Sequence, residues 1–344
     1  MPALLRLSIL SSGLALVVIV FGAYVRLSDA GLSCPDWPGC YGQLLVPSGE
    51  QGVALAESAY PLVPLESGKA WKEMIHRYLA GLLGIAIATI AFLSWRNRKQ
   101  PGHPKLLPVL LVVLVIFQAL LGMWTVTLQL KPVIVTAHLL GGLLTITLLV
   151  WLSLRYWALS RGWVSVTTSH GLRRTLSFGL VALLIQLALG GWTSANYAAL
   201  ACPDFPLCNA ALWPTMDLSE GFQLRRELGR NADGQFISQQ GLVSIHFIHR
   251  LGALVAIVFL SWASLLGFRQ NNSIIRAGAT TVLVLLASQA TLGVAVVLNA
   301  RPLGFAVLHN ANAALLLLSV VYLLFVTRRQ RTTLIQSKLR SVGA

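Results

Sequence analysis

Glu73 and His76 stand three residues apart where a long apolar run begins, in the stretch Glu73-Met74-Ile75-His76-Arg77. That spacing puts a carboxylate and an imidazole on one face of a helix, a turn apart. A carboxylate so placed can accept a proton, activate a water or stabilise a developing cation. An imidazole can bind a metal. A variant of the stretch, His246-Phe247-Ile248-His249-Arg250, opens another apolar run in the second half of the chain. Two further runs open near His138 and His309, and the four cysteines form two pairs of one spacing, Cys34 with Cys40 and Cys202 with Cys208.

The elements that must carry these residues are apolar. The chain of 344 residues is 56% hydrophobic and 11% charged, whereas a soluble domain carries about 25% charged residues. Eight runs are long enough to cross a bilayer: 8–25, 76–95, 106–128, 134–154, 176–196, 247–267, 276–298 and 305–326. In lipid a helix satisfies its own backbone. The expected fold class is therefore an all-α integral membrane protein with eight transmembrane helices, seated in a lipid bilayer.

The net charge of +15 does not call for a nucleic acid. With the N-terminus in the cytoplasm, sixteen of the twenty-six basic residues fall in cytoplasmic segments, among them Arg6, Arg96, Arg155, Arg173, Arg269, Arg329, Arg331, Lys338 and Arg340. All eleven acidic residues, from Asp29 to Asp233, lie in the outer segments or at their margins. This is the positive-inside pattern, and it predicts an N-in, C-in topology. An apolar stretch of about 18 residues at the start is long for a signal peptide and ends in a motif that recurs later, so it reads as the first span. No Arg- and Ser-rich transit segment precedes it. The expected location is a bacterial inner (cytoplasmic) membrane, multi-pass, with the cysteine loops on the periplasmic side.

The chain reads as two copies of one four-helix unit. Residues 22–40 align without gaps on 190–208 through the shared pattern Cys-Pro-Asp-aromatic-Pro-x-Cys. His76-Arg77 aligns on His249-Arg250, Gln118 on Gln289, and His138 on His309 at the same spacing of 20 from those glutamines. An even number of spans per unit gives both copies one orientation, a tandem parallel repeat about an axis along the membrane normal. The expected organisation is an N-terminal four-helix bundle over 1–157, a cytoplasmic linker over 158–175, a C-terminal four-helix bundle over 176–330 and a basic cytoplasmic tail over 331–344.

His138 lies six residues beyond Pro132, roughly 9 Å along a helix, and His309 lies seven beyond Pro302. All four histidines thus come to the outer third of the membrane, two per bundle. Ionisable groups at such depth are functional by default, although interhelical hydrogen bonding also uses them. Two facing imidazoles in a bundle core suit a flat macrocycle such as haem, while a zinc site wants three or four ligands at one point. Arg77 and Arg250 suit haem propionates or snorkel to the interface. Gln118 and Gln289 fit helix–helix hydrogen bonding or a cofactor pocket. His103 and His170 read as surface residues of cytoplasmic loops.

The cysteines lie outside, where disulfides persist, and their even count and equal spacing predict a disulfide within each pair. Each pair is either a plain loop staple or a redox-active couple. The copies differ at one telling position: Glu73 in the first is His246 in the second. Glu73 reads as a catalytic group just above the histidine, toward water, or as a first-turn residue complementing the helix dipole.

Taken together, GLSCPDWPGC (31–40), EMIHR (73–77), TAHLLGG (136–142), CPDFPLC (202–208), IHFIHR (245–250) and LHN (308–310) resemble the haem A synthase family over essentially all eight spans. The resemblance implies a membrane oxidoreductase that oxidises a methyl group of haem O to a formyl group in two steps through an alcohol, with water as the oxygen source. It implies that His76 and His138 bracket the substrate haem O, and its product haem A, in the N-terminal bundle. His249 and His309 would be axial ligands of a haem b in the C-terminal bundle, and Glu73 the catalytic carboxylate. Cys34 and Cys40 would be the redox pair, Cys202 and Cys208 structural. His246 is outside the family pattern. The resemblance also implies association with haem O synthase and formation of homo-oligomers. The competing reading is a di-haem b electron carrier or quinol oxidoreductase, which needs neither Glu73 nor paired outer cysteines. A transporter would show a charged midplane pathway, which the runs lack.

Overall fold

The computed structural model describes residues 2–163, 166, 168–231 and 233–328. Ten α-helices occur among them: α1 (Pro2–Leu27), α2 (Gly49–Ala59), α3 (Ser67–Arg96), α4 (Leu106–Thr127), α5 (Pro132–Arg161), α6 (His170–Ala195), α7 (Leu218–Gly221), α8 (Gln239–Phe268), α9 (Ser273–Leu298) and α10 (Leu303–Val326). All but α2 and α7 are long and apolar enough to cross a membrane. The protein is an all-α integral membrane protein. The basic residues Arg329, Arg331, Lys338 and Arg340, and the tail 331–344, lie outside the described residues, as do 164, 165 and 167 of the linker.

Local chemistry sets the helix ends. Ser169, Ser238 and Asn272 cap α6, α8 and α9 by accepting from the first-turn amides of Leu172, Gly241 and Ile274, which quiets donors that a helix leaves unpaired. Pro132 opens α5, where its missing N–H costs nothing. Gly162 closes it at φ 60°, a left-handed conformation that glycine takes without strain. The helices overrun the apolar runs. Helix α3 begins nine residues before His76 and α8 ten before His249, because their polar first turns pack under the cysteine loops rather than against lipid.

The packing partners come in matched sets. Helix α1 packs on α3 and α5, and α4 closes the ring between them. Helix α6 packs likewise on α8 and α10, with α9 between. The two rings meet through α5 with α6, α1 with α10, and α5 with α10. If α1 corresponds to α6 and α5 to α10, the first two contacts are equivalent and the third is its own equivalent. A pseudo-twofold axis therefore runs between α5 and α10. The apolar cores join there: Leu143 of α5 packs into the core of the second ring, and Leu318 of α10 into that of the first. Small residues bring backbones close, as bilayer-embedded helices require. A Cβ at Gly191 of α6 would lie 3.0 Å from Leu139 and 3.2 Å from Thr136 of α5. At the end that carries the cysteine loops, Arg26 of α1 donates to the Tyr197 hydroxyl at 2.7 Å, tying α1 to the segment after α6.

His103 departs from the sequence reading. It is 5% exposed, with Nε2 2.7 Å from the Ser94 hydroxyl, which also accepts from Tyr156 at 3.0 Å. It is a buried knot between α3 and α5, not a surface residue. His170 is exposed at the start of α6.

Candidate functional site: two histidine pairs beneath two cysteine loops

His76 and His138 lie near the N-terminal ends of α3 and α5, and His249 and His309 near those of α8 and α10. In each ring these two helices stand diagonally, so the imidazoles face one another across the interior. Each pair lies within electrostatic range of itself. Among the described residues no group of three or more His, Cys, Asp or Glu gathers at one point; the histidines meet in twos.

Every one of the four rings leans on a glycine of the neighbouring helix. A Cβ built at Gly22 would lie 2.6 Å from His76 Cε1, and one at Gly122 3.4 Å from His138 Cε1. At Gly190 and Gly293 it would lie 3.1 Å from His249 and His309. Gly22 corresponds to Gly190 in the repeat and Gly122 to Gly293. The glycines were not singled out in the sequence, yet the signal was there: Gly122 and Gly293 follow Gln118 and Gln289 by one turn. Nδ1 of His76, His138 and His309 is buried without a hydrogen-bond partner. Buried unpaired nitrogens need a reason, and a pair of imidazoles aimed into a bundle core with donor capacity to spare fits an axial ligand set for haem.

Above the histidines both cysteine pairs are closed as disulfides, with Cα atoms 4.8 Å apart for Cys34–Cys40 and 4.6 Å for Cys202–Cys208. The loops repeat contact for contact. Asp36 accepts from the Tyr41 and Gly42 amides at 2.7 and 2.8 Å, and Asp204 from those of Asn209 and Ala210 at the same distances. The Ala210 amide, ahead of the other contacts, holds the Asp204 carboxyl below its ordinary range.

Glu73 and Arg77 clamp the first loop to α3. Glu73 is 4% exposed. Its Oε2 accepts from the amides of Ser33 (2.8 Å) and Cys34 (3.0 Å), and its Oε1 from Arg77 at 2.5 Å. Arg77 also donates to the carbonyls of Asp36 at 3.0 Å and of Pro38 and Gly39. In the second half His246 stands where Glu73 does. Its Nδ1 lies 3.3 Å from the Cys202 amide and its Nε2 3.3 Å from Arg250, and a neutral imidazole accepts at one of these two nitrogens. Arg250 donates to Cys202, Asp204 and Leu207 carbonyls at 2.7–2.8 Å. Two sequence expectations change here. Glu73 does not face water but is buried under its loop, and both arginines are spent on loop carbonyls rather than on the interface. Gln289 approaches His309 at 3.1 Å, so it serves the site, while Gln118 lies against Gly141, where no Cβ would fit. The sequence reading missed Gln186, whose amide lies 3.0 Å from His249 Nδ1. Its signal was a lone amide within an apolar run, one turn before Gly190.

Fold and site together define a polytopic helical membrane protein built around two matched histidine pairs, each roofed by a disulfide-closed loop. The chain belongs to the cytochrome oxidase assembly protein family COX15-CtaA, whose family model matches residues 5–321. A protein of Shewanella oneidensis named haem A synthase is 42% identical over 310 residues, covering 89% of this chain and 91% of its own. Proteins of the same name from Caulobacter sp. and Bacillus licheniformis are 30% and 26% identical, covering 92% and 96% of this chain and 93% and 97% of theirs.

Proposed function

We propose that this protein is a haem A synthase, a membrane oxidoreductase that converts the methyl group of haem O to the formyl group of haem A for cytochrome oxidase. The observation that carries the reading is the doubled clasp: two diagonal histidines, each against a glycine, at one end of each four-helix ring. In this reading His76 and His138 hold the haem substrate, and His249 and His309 are the axial ligands of a resident haem b. The haem supplies the redox-active iron and the methyl group that is oxidised.

The protein's own groups do the rest. Glu73 keeps a carboxylate beside the His76 turn, and its charge is held by two amides and Arg77. Shifting Arg77 toward the Gly39 carbonyl side would free Oε1 to take a proton or to stabilise positive charge at the carbon being oxidised. The Cys34 amide is bonded to a carboxylate where the Cys202 amide meets an imidazole, and this difference suits a redox role for Cys34–Cys40 and a structural one for Cys202–Cys208. The N-terminal ring (1–157) would house the chemistry and the C-terminal ring (176–330) the resident cofactor. The orientation would be N-in and C-in, with the cysteine loops periplasmic, in a bacterial inner membrane. Haem O synthase and further copies of the chain are the expected partners.

The test is expression with a source of haem O, followed by pigment chromatography. Haem A or its hydroxylated intermediate is expected. Haem b alone, with no conversion under any electron acceptor, would overturn the reading and leave a di-haem b electron carrier.

A further inference from the structure

The two halves place different side chains beside their histidines. On α6, Gln186 lies one turn before Gly190, and its Nε2 sits 3.0 Å from His249 Nδ1. Gly252 on α8 makes room for it: a Cβ there would collide with Gln186 Oε1 and lie 2.8 Å from Leu189. On α10, Asn312 donates to Gln289 Oε1 at 2.8 Å and to the Leu285 carbonyl at 2.9 Å. That fixes the Gln289 amide with its nitrogen toward His309 Nε2. The repeat puts Val18, Leu79 and Gly141 where the second half has Gln186, Gly252 and Asn312. None of the three has a side chain that can hydrogen-bond. Nδ1 of His76 and Nε2 of Gln118 are buried without partners.

An imidazole that binds iron through one nitrogen carries hydrogen on the other. A carbonyl oxygen that accepts this hydrogen fixes the ring and raises its basicity. Gln186 Oε1 is buried and has no partner where it stands. A half-turn of the amide, whose oxygen and nitrogen are nearly isosteric, brings that acceptor to His249 Nδ1. The matching atom of the first half, His76 Nδ1, is buried without a partner, and the repeat puts Val18 at the position of that amide.

We propose that Gln186 is a positioning residue for His249, and that this amide, lacking at Val18, is what makes the C-terminal pair retain its haem while the N-terminal pair exchanges it. The inference rests on the haem-ligand reading above and adds what separates a cofactor site from a substrate site built on one plan.

The test uses the purified holoprotein in detergent, with excess apomyoglobin as haem scavenger and a redox titration of the haem b spectrum. In Gln186→Val, haem b loss is expected to accelerate about tenfold, the lower end for removing such a partner. Its midpoint potential is expected to rise, because a less basic ligand favours the ferric state less. Gln186→Glu, which keeps an acceptor, should restore retention and lower the potential below that of the unaltered protein. Unchanged loss rate and potential in Gln186→Val would overturn the proposal, as would Gln186→Glu losing haem as fast as Gln186→Val. Should Gln186→Val yield no holoprotein, the converse variant decides. Val18→Gln with Leu79→Gly should slow haem release from the N-terminal site, and unaltered release refutes the proposal. A failure of the ligand reading is separable, since His249→Ala would then leave the haem b spectrum intact.

Discussion

The two halves fasten their cysteine loops with different chemistry at the same place. One turn before the histidine of each pair, Glu73 bridges the Cys34 amide to Arg77, and His246 sits between the Cys202 amide and Arg250 with one nitrogen free to accept. An imidazole is therefore sufficient for the clasp. A buried carboxylate is the more costly choice, because its charge must be stripped of water. Architecture alone does not explain why the first half keeps it, and a helix-dipole role does not either, since the second half manages without. What the comparison isolates is charge: the N-terminal half maintains a negative group beside its histidine, and the C-terminal half maintains amides beside its own.

The largest expected effect separates the two pairs of histidines. His249→Ala or His309→Ala should abolish the haem b spectrum, while His76→Ala or His138→Ala should keep it and lose conversion of haem O. Spectra that respond alike to all four changes would erase the distinction. Next comes the exchange Glu73→His, which installs the second half's own clasp. Conversion should fall by at least about a hundredfold, in line with loss of a proton-transfer group, with the Cys34–Cys40 disulfide and haem b intact. Full activity would reduce Glu73 to a loop fastener.

A smaller effect distinguishes the disulfides. Cys202→Ser with Cys208→Ser should cost about 2 kcal/mol of stability, the loop being short, read as earlier thermal loss of haem b absorbance, with conversion retained at low temperature. The same change at Cys34 and Cys40 should remove conversion as well. The smallest effect lies at the opposite end of the molecule. Burial, followed by nearby positive charge, lowers the His103 pKa from its ordinary 6.5. The unfolded chain then binds the extra proton first, so stability falls as pH drops below that ordinary value. Melting followed from neutral to mildly acidic pH should show this slope, and His103→Phe should flatten it. Ser94→Ala, which removes the shared hydroxyl, should cost about 1 kcal/mol.

Much of this was legible in the chain. Apolar length gave the eight spans, because lipid leaves few alternatives. The repeat put the four histidines at matched depth and paired the cysteines. What stayed hidden depended on where a side chain turns at a helix mouth. Arg77 and Arg250 read as propionate or interface residues because nothing in a linear pattern shows that a loop some forty residues earlier folds back over them. His103 read as exposed because it falls in a short loop between spans, whereas it is buried against Ser94 and against Tyr156, which is distant in sequence. Gln186 escaped notice because it has no repeated copy, and the repeat was the lens through which the site was found.

Gly190 and Gly191 are adjacent on α6, yet they look in opposite directions. The first receives His249, and the second receives Thr136 and Leu139, which flank His138 by one or two residues. The partition between the two compartments is thus a single strand of peptide at this level, with no side-chain thickness on either face. A methyl group added to either glycine would thicken that wall from one side and be felt on the other. The two sites are therefore tenants of a shared wall, and their spacing is set by a dipeptide rather than by the lengths of the helices around it.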